Sequence, residues 1–413
     1  MIQKMELPNG LRILFEQIPH VRSVSIGIWI GTGSRFEEKR ENGVSHFLEH
    51  MFFKGTNTRS AADIAEAFDC IGGQVNAFTS KEYTCYYSKV LDEHADYALD
   101  VLSDMFFNSV FAHKELEKEK NVVFEEIKMV DDTPDDIVHD LLSKATYGDH
   151  PLGLPILGTV DTLSSFDADL LRDYMKRFYT AENVVVSIAG NVDEKLIEKV
   201  KETFSTVQKS DGAGTVQKPL FLADQIARKK ETEQAHICIG YQGLQIGHKD
   251  IYSLVLLNNI LGGSMSSRLF QEIREKRGLA YSVFSYHTAY QDDGVLTLYS
   301  GTAPHQLDEL YEAVMYTVGQ LSQDGIKEKE LKNGKEQLKG NLMLSLESTN
   351  SRMSRNGKNE LLLRRHRSLD EIIDEINTVS LEAVNDLAKT IFTSTPAISL
   401  ISPKGELPKG LQQ

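Results

Sequence analysis

Cysteine is nearly absent from this chain, and no apolar run is long enough to cross a bilayer. The three cysteines, Cys70, Cys85 and Cys238, lie far apart, form no C-x-x-C pair and cannot make an even disulfide framework. They read as buried thiols in a reducing compartment. The opening residues, MIQKMELPNGLRILFEQIPH, hold neither a continuous apolar segment nor a small-residue cleavage site, so the expected location is the cytoplasm. Positive charge is also in short supply: 45 Lys and Arg face 60 Asp and Glu, for a formal net charge of -15. That balance disfavours a general nucleic-acid or anionic-membrane surface, while basic peptides would be tolerated. A length of 413 residues exceeds what one core comfortably serves and points to two or more domains.

What the sequence does contain is a repeat. SVSIGIWIG (23–31) alternates Val24, Ile26, Ile28 and Ile30 with mostly small residues, and HICIGYQG (236–243) begins the same way about 213 positions later. Both patterns predict strands with one buried face. HKELEKEKN (113–121) recurs as EKELKNGKE (328–336), which places Glu115 and Leu116 on Glu330 and Leu331 at an offset of 215. LLRDYMKRFYTAENVVVSI (170–188) is echoed by VNDLAKTIFTSTPAISLIS (384–402), pairing Phe178 with Phe392 and Val186 with Leu400 at an offset of 214. Three matches in order at a nearly constant offset imply a duplicated domain. Between the halves, QKSDGAGTVQKP (208–219) has the composition of an exposed linker. The expected fold is α+β: two homologous domains, about 1–210 and 220–413, each an antiparallel-rich mixed sheet packed with helices.

The stretch NGVSHFLEHMFFKG (42–55) sets His46, Glu49 and His50 into an otherwise mostly apolar run. Helical spacing puts the two histidines one turn apart on one face, so both imidazoles can reach a single ion, with Glu49 on an adjoining edge. Asn42 and Gly43 fit a helix entry. Two neutral imidazoles are donors that zinc prefers, but a catalytic site also needs a third ligand and an open position. A five-residue pattern also arises in unrelated proteins, and a buried histidine is commonly a satisfied core residue. Downstream, KELEKEKNVVFEEIKMV (114–130) places Glu119 and Glu126 two turns apart on one face of a helix, interleaved with Val122, Val123 and Ile127. These carboxylates could serve as third ligand and supporting partner, whereas Glu115 and Glu117 read as a solvated charged face.

H-x-x-E-H is the inverted zinc signature, and HFLEH combined with EKEKNVVFEEIKM resembles the pitrilysin family of zinc metallopeptidases. The likeness is closest to the branch of mitochondrial processing peptidase and its bacterial processing-protease relatives, and it covers essentially the whole chain. It implies zinc held by His46, His50 and Glu126, the last standing 76 positions after His50, with Glu119 in support and Glu49 as general base. It further implies that GGQVNAFTSKEYTCYY (72–87) is a sheet edge that binds an extended peptide at Asn76 and Ala77. In REKRGLAYSV (274–283), by itself a charged helix end and a strand, Arg274 would hold substrate and Tyr281 would donate a hydrogen bond to the developing oxyanion. LGGSMSSRLF (261–270) fits the family too, although its glycines equally suit a flexible turn.

At the offset of 215, Glu119 and Glu126 fall on Gly334 and Asn341, and no H-x-x-E-H follows the linker. Only the first half can hold this metal. In the family the Arg/Tyr pair reaches the metal from a different two-domain unit, which implies a homodimer whose composite sites enclose a chamber for unstructured peptides or presequence-like segments. Two other functions stay open: a non-catalytic scaffold or chaperone that binds extended peptides, and a zinc hydrolase of small amides. Cobalt or manganese would accept the same donors.

Overall fold

In a computed structural model, which describes residues 2–210 and 216–412, the two repeated hydrophobic segments become the central strands of two sheets. The first sheet contains β1 (Ile2–Glu6), β2 (Arg12–Gln17), β3 (Ser23–Ile30), β4 (Gln74–Thr79), β5 (Thr84–Leu91) and β6 (Val184–Gly190), in the order β1-β2-β6-β3-β5-β4. The second contains β7 (Gln225–Lys229), β8 (Ala235–Gln242), β9 (Ala280–Ala289), β10 (Gly294–Thr302) and β11 (Ala397–Ser402), in the order β7-β11-β8-β10-β9. With β1 set aside, the two orders coincide strand for strand. Each sheet has one parallel pair, β2 with β6 and β7 with β11, among antiparallel neighbours. The fold is α+β and duplicated.

Two compact units form, but no single cut in the chain separates them. One comprises Met1–Lys128, Pro155–Val216 and Met343–His366; the other comprises Met129–Leu154, Gln217–Leu342 and Arg367–Gln413. The halves of the sequence have exchanged helices. Helix Thr349–Leu363, from the second half, lies across β3, β6 and β2, while helix Pro134–Tyr147, from the first half, lies across β11, β8 and β7. Residues 211–215 of the expected linker fall outside the described residues, and 216–218 are exposed.

This exchange corrects the expectation that β3 and β8 bury only one face. Val24, Ile26, Ile28 and Ile30 enter one core, while Trp29 is buried on the opposite face with Leu14, Cys85, Val185 and Met353. Glycine sets how closely the exchanged helix approaches: a Cβ on Gly27 would overlap the Met353 sulfur, and one on Gly357 would overlap the Trp29 indole. Several polar groups in this interface are paired. Ser25 Oγ lies 3.0 Å from Thr349 Oγ1, and Ser187 Oγ donates to the Met353 carbonyl at 2.8 Å. The fully buried Glu360 meets Lys4 Nζ at 2.8 Å, His366 Nε2 at 2.7 Å and Arg12 Nη1 at 3.3 Å.

The cysteine reading also needs a correction. Cys85 and Cys238 are buried free thiols, but Cys70 is exposed. It ends helix Ala61–Asp69, whose core-facing residues are Ile64, Ala67 and Phe68, and falls past that face. No helix among the described residues is long and apolar enough to cross a membrane.

Candidate metal centre

Helix Val44–Met51 begins after Gly43, which has φ 98° in the left-handed region, so the Asn42–Gly43 pair is the entry the sequence suggests. Val44, Phe47, Leu48 and Met51 anchor one side of the helix in the core. The other side presents His46, Glu49 and His50. The second contributor is the long helix His113–Asp132, of which only Leu116, Glu119, Lys120 and Val123 are buried. Its outer face carries Glu115–Lys118 and Glu125–Lys128 pairs, each at 2.7 Å, and the buried Lys120 reaches out to Glu117 at 2.9 Å.

Between these helices, donor atoms of His46, His50 and Glu126 lie within 4.8 Å of one another, and this is the one such cluster of three among the described residues. Nε2 of His50 is 3.5 Å and Nε2 of His46 is 3.9 Å from the same Glu126 Oε2. A tetrahedral zinc with bonds of ~2.0–2.1 Å sets its donors roughly 3.4 Å apart, so a small contraction would seat the ion. The donor set, two nitrogens and one carboxylate, fits zinc with a position to spare.

His50 is held from behind. Its Nδ1 lies 2.8 Å from Glu119 Oε1, and Lys54 Nζ lies 2.8 Å from Glu119 Oε2. With Nδ1–H donated to the carboxylate, the Nε2 lone pair faces the centre. Burial tends to raise the Glu119 carboxyl, but the bonds from His50 and Lys54 outweigh it and hold the group below its ordinary pKa. For His50, burial works downward and is outweighed by the Glu119 bond and the charges of Glu126 and Glu49, so its pKa is raised. His46 goes the other way: burial, aided by the His50 charge, pushes it down to about 3, which keeps its imidazole neutral and able to ligate. His46 Nδ1 is buried without a hydrogen-bond partner.

Glu49 stays outside the donor cluster. Its Oε2 accepts a 2.5 Å bond from Thr79 Oγ1 at the end of β4, and burial raises its pKa above the ordinary carboxylate range despite that bond. A carboxylate tuned upward suits proton transfer near neutral pH. A cleft of about 510 Å³ opens beside it, lined by Glu49, His50, Phe53, Ile64, Val75 and Asn76 among others. β4 is the last strand of its sheet, so among the described residues no strand pairs with its outer edge. Asn76 is exposed on this strand and Ala77 is buried; Asn76 Oδ1 accepts from the Ala77 N–H at 2.8 Å.

Arg274 and Tyr281 belong to the second unit. Arg274 sits in a widened helical stretch, Phe270–Lys276, with π-type i→i+5 bonding, and its guanidinium lies 4.3 Å over the Tyr281 ring while Nη1 donates to the Tyr281 carbonyl at 3.1 Å. On β9, Ser282 pairs with Gly301 and Ala280 with Thr302, which leaves Tyr281 as an extra, bulged residue. The bulge turns its ring outward, and Tyr281 is 78% exposed. Sequence reasoning missed Lys54 and Thr79. Lys54 was within reach as the residue four after His50, whereas nothing in the order of residues marks Thr79.

Paired imidazoles on one helix, a carboxylate on another and an unligated glutamate beside an open sheet edge define a site of the zinc-peptidase type. Residues 12–160 match the family described as Insulinase (Peptidase family M16), and residues 165–338 match the Peptidase M16 inactive domain. An uncharacterized zinc protease of Bacillus subtilis (strain 168), YmxG, is 62% identical over 99% of this chain and 100% of its own length. An uncharacterized zinc protease of Streptomyces coelicolor is 39% identical over 97% of this chain and 90% of its length. The crystal structure of a protease from Helicobacter pylori superposes with a TM-score of 0.90 at 22% identity, covering 98% of this chain and 99% of that one. The chain belongs to peptidase family M16, the pitrilysin or insulinase family of zinc proteases, and zinc is its cofactor.

Proposed function

We propose that the protein is a zinc metalloendopeptidase that cleaves unstructured peptides or presequence-like segments. The observation that carries this reading is the convergence of His46, His50 and Glu126 donors with Glu49 left free beside them. Bound there, zinc would polarise a peptide carbonyl and lower the pKa of water to about 7. Glu49 takes the proton from the attacking water and passes it to the leaving amine. Glu119 keeps His50 in the tautomer that presents Nε2. An extended substrate adds to the outer edge of β4, where Asn76 and Ala77 contact its main chain, so that recognition is largely independent of side chains. Tyr281 donates to the carbonyl oxygen as charge develops on it, and Arg274 orients the tyrosine and holds substrate.

In this reading Arg274 and Tyr281 reach the metal of a second copy, giving a cytoplasmic homodimer whose composite sites enclose a chamber. A folded protein could not enter it. The test is cleavage of one sequence presented as a free, unstructured peptide and within a folded domain. Cleavage of the free form alone, abolished by chelation and restored by zinc, is expected; a protein that leaves every unstructured peptide intact under zinc would contradict the proposal.

A further inference from the structure

The helix that carries His46, Glu49 and His50 has eight residues, too few to hold its position by helical stability alone, and its N-cap residue is a glycine with no side chain to accept from the first turn. The missing acceptor is supplied from a distance. Glu37 Oε2 accepts from the Gly43 N–H at 2.8 Å and from Asn42 Nδ2 at 3.2 Å, while Glu37 Oε1 accepts from the Ser45 N–H at 2.8 Å. Glu37 is 4% exposed, and its carboxylate is met by N–H groups at the positive end of the helix dipole. Burial raises its pKa, opposed by these same bonds.

We infer that Glu37 is a positioning residue for the metal site, fixing the height and roll of the ligand helix; this rests on the zinc reading given above. Other ties hold the helix entry without doing the same work. Ser45 Oγ lies 2.8 Å from Tyr174 OH, which lies 2.7 Å from Thr32 Oγ1, and Thr162 Oγ1 donates to the Asn42 carbonyl at 2.7 Å. These reach one side chain and the residue before the turn. Among the described residues Glu37 alone grips, by its side chain, backbone N–H groups on both sides of Val44, so sliding or rotating the helix must break one of its bonds. The consequence falls on the ligands: His46 is the residue after Ser45, and the donor separations of 3.5 and 3.9 Å leave little room for displacement if zinc is to touch all three.

Glutamine cannot replace Glu37. Its amide offers one oxygen and one NH2, and whichever way it turns, a donor faces the N–H of Gly43 or Ser45. Aspartate keeps the charge but is one methylene shorter and cannot span both groups. The test measures zinc affinity by chelator competition and the visible absorption of Co(II)-loaded protein for wild type, Glu37→Gln, Glu37→Asp and His50→Ala. Glu37→Gln is expected to weaken zinc binding about 10- to 100-fold and to alter the cobalt spectrum, with Glu37→Asp about tenfold weaker. A merely structural cap would lower thermal stability and leave the cobalt spectrum of the folded protein unchanged. Wild-type affinity and spectrum in Glu37→Gln overturn the inference, and if that variant does not fold, Glu37→Asp decides by the same two readings. Loss of metal in His50→Ala beside unchanged Glu37 variants defeats the role of Glu37 alone. Undiminished binding in His50→Ala defeats the zinc site itself, and this inference with it.

Discussion

Glu119 Oε1 stands 2.8 Å from His50 Nδ1, and its other oxygen stands 2.8 Å from Lys54 Nζ, so a single buried carboxylate joins a metal ligand to a fixed cation. Glu119→Gln keeps the shape but loses the charge that orients the imidazole. Zinc affinity is expected to fall about 10- to 100-fold. Lys54→Met removes only the second tie and should cost less. Chelator competition ranks the three proteins, and an affinity in Lys54→Met lower than in Glu119→Gln would reverse the order of support drawn from these distances.

Tyr281 is placed by backbone geometry as well as by side-chain contact. Because the β9 bulge turns the ring outward and Arg274 covers its face, Tyr281→Phe should preserve the fold of that edge. The loss is confined to one donor. The expected effect is a fall in kcat of ~10²–10³ with zinc content unchanged. Equal kcat in the two proteins would remove Tyr281 from the reaction.

How much of this was legible in the sequence divides along physical lines. Local spacing reported well: His46 and His50 at one helical turn, Glu119 and Glu126 at two turns, and the alternation in 23–31 and 236–243 all appear as structure. Partners distant in the chain did not. An amphipathic helix carries no address, so nothing in 349–363 announces that it covers the sheet of the other half. On the alternate face of β3, Trp29 is buried against Met353 of that helix, a partner that the alternation does not reveal. Glu37 in RFEEKREN reads as one more surface charge, because its purpose depends on a turn that brings Gly43 and Ser45 back to it. The bulge at Tyr281 is likewise a property of pairing with β10 and leaves no mark in the order of residues.

The exchanged helix gives a stability prediction. Gly357 faces the Trp29 indole with no room for a Cβ. Gly357→Ala improves helix propensity by up to about 1 kcal/mol, yet overpacking a rigid indole costs ~1–3 kcal/mol or more. Net destabilisation is therefore expected in urea unfolding. A variant more stable than wild type would show that the helix can stand further from β3.

Acid should loosen the same interface. Burial works to raise the Glu360 carboxyl, but the bonds and charges of His366, Lys4 and Arg12 outweigh it and bring the pKa to about 2. An unfolded glutamate titrates near ~4.3, so folding favours the ionised form, by roughly 3 kcal/mol. That contribution is present above pH ~4.3 and is lost as pH falls toward 2. Glu360→Gln should be clearly less stable than wild type at pH 7, and the gap should shrink at pH 3. A gap independent of pH would show that the charge on Glu360 is not what stabilises this contact.

The most direct test is to load wild type and Glu49→Gln with zinc, measure metal content, and follow cleavage of a panel of unstructured peptides. Glu49 is hydrogen-bonded to Thr79 and lies outside the ligand cluster, so both proteins should hold about one zinc per chain. Cleavage is expected in the wild type, with a fall of ~10²–10⁴ in the variant. Full cleavage by zinc-loaded Glu49→Gln, or none by zinc-loaded wild type, would contradict the assignment of Glu49 as the base of a peptidase.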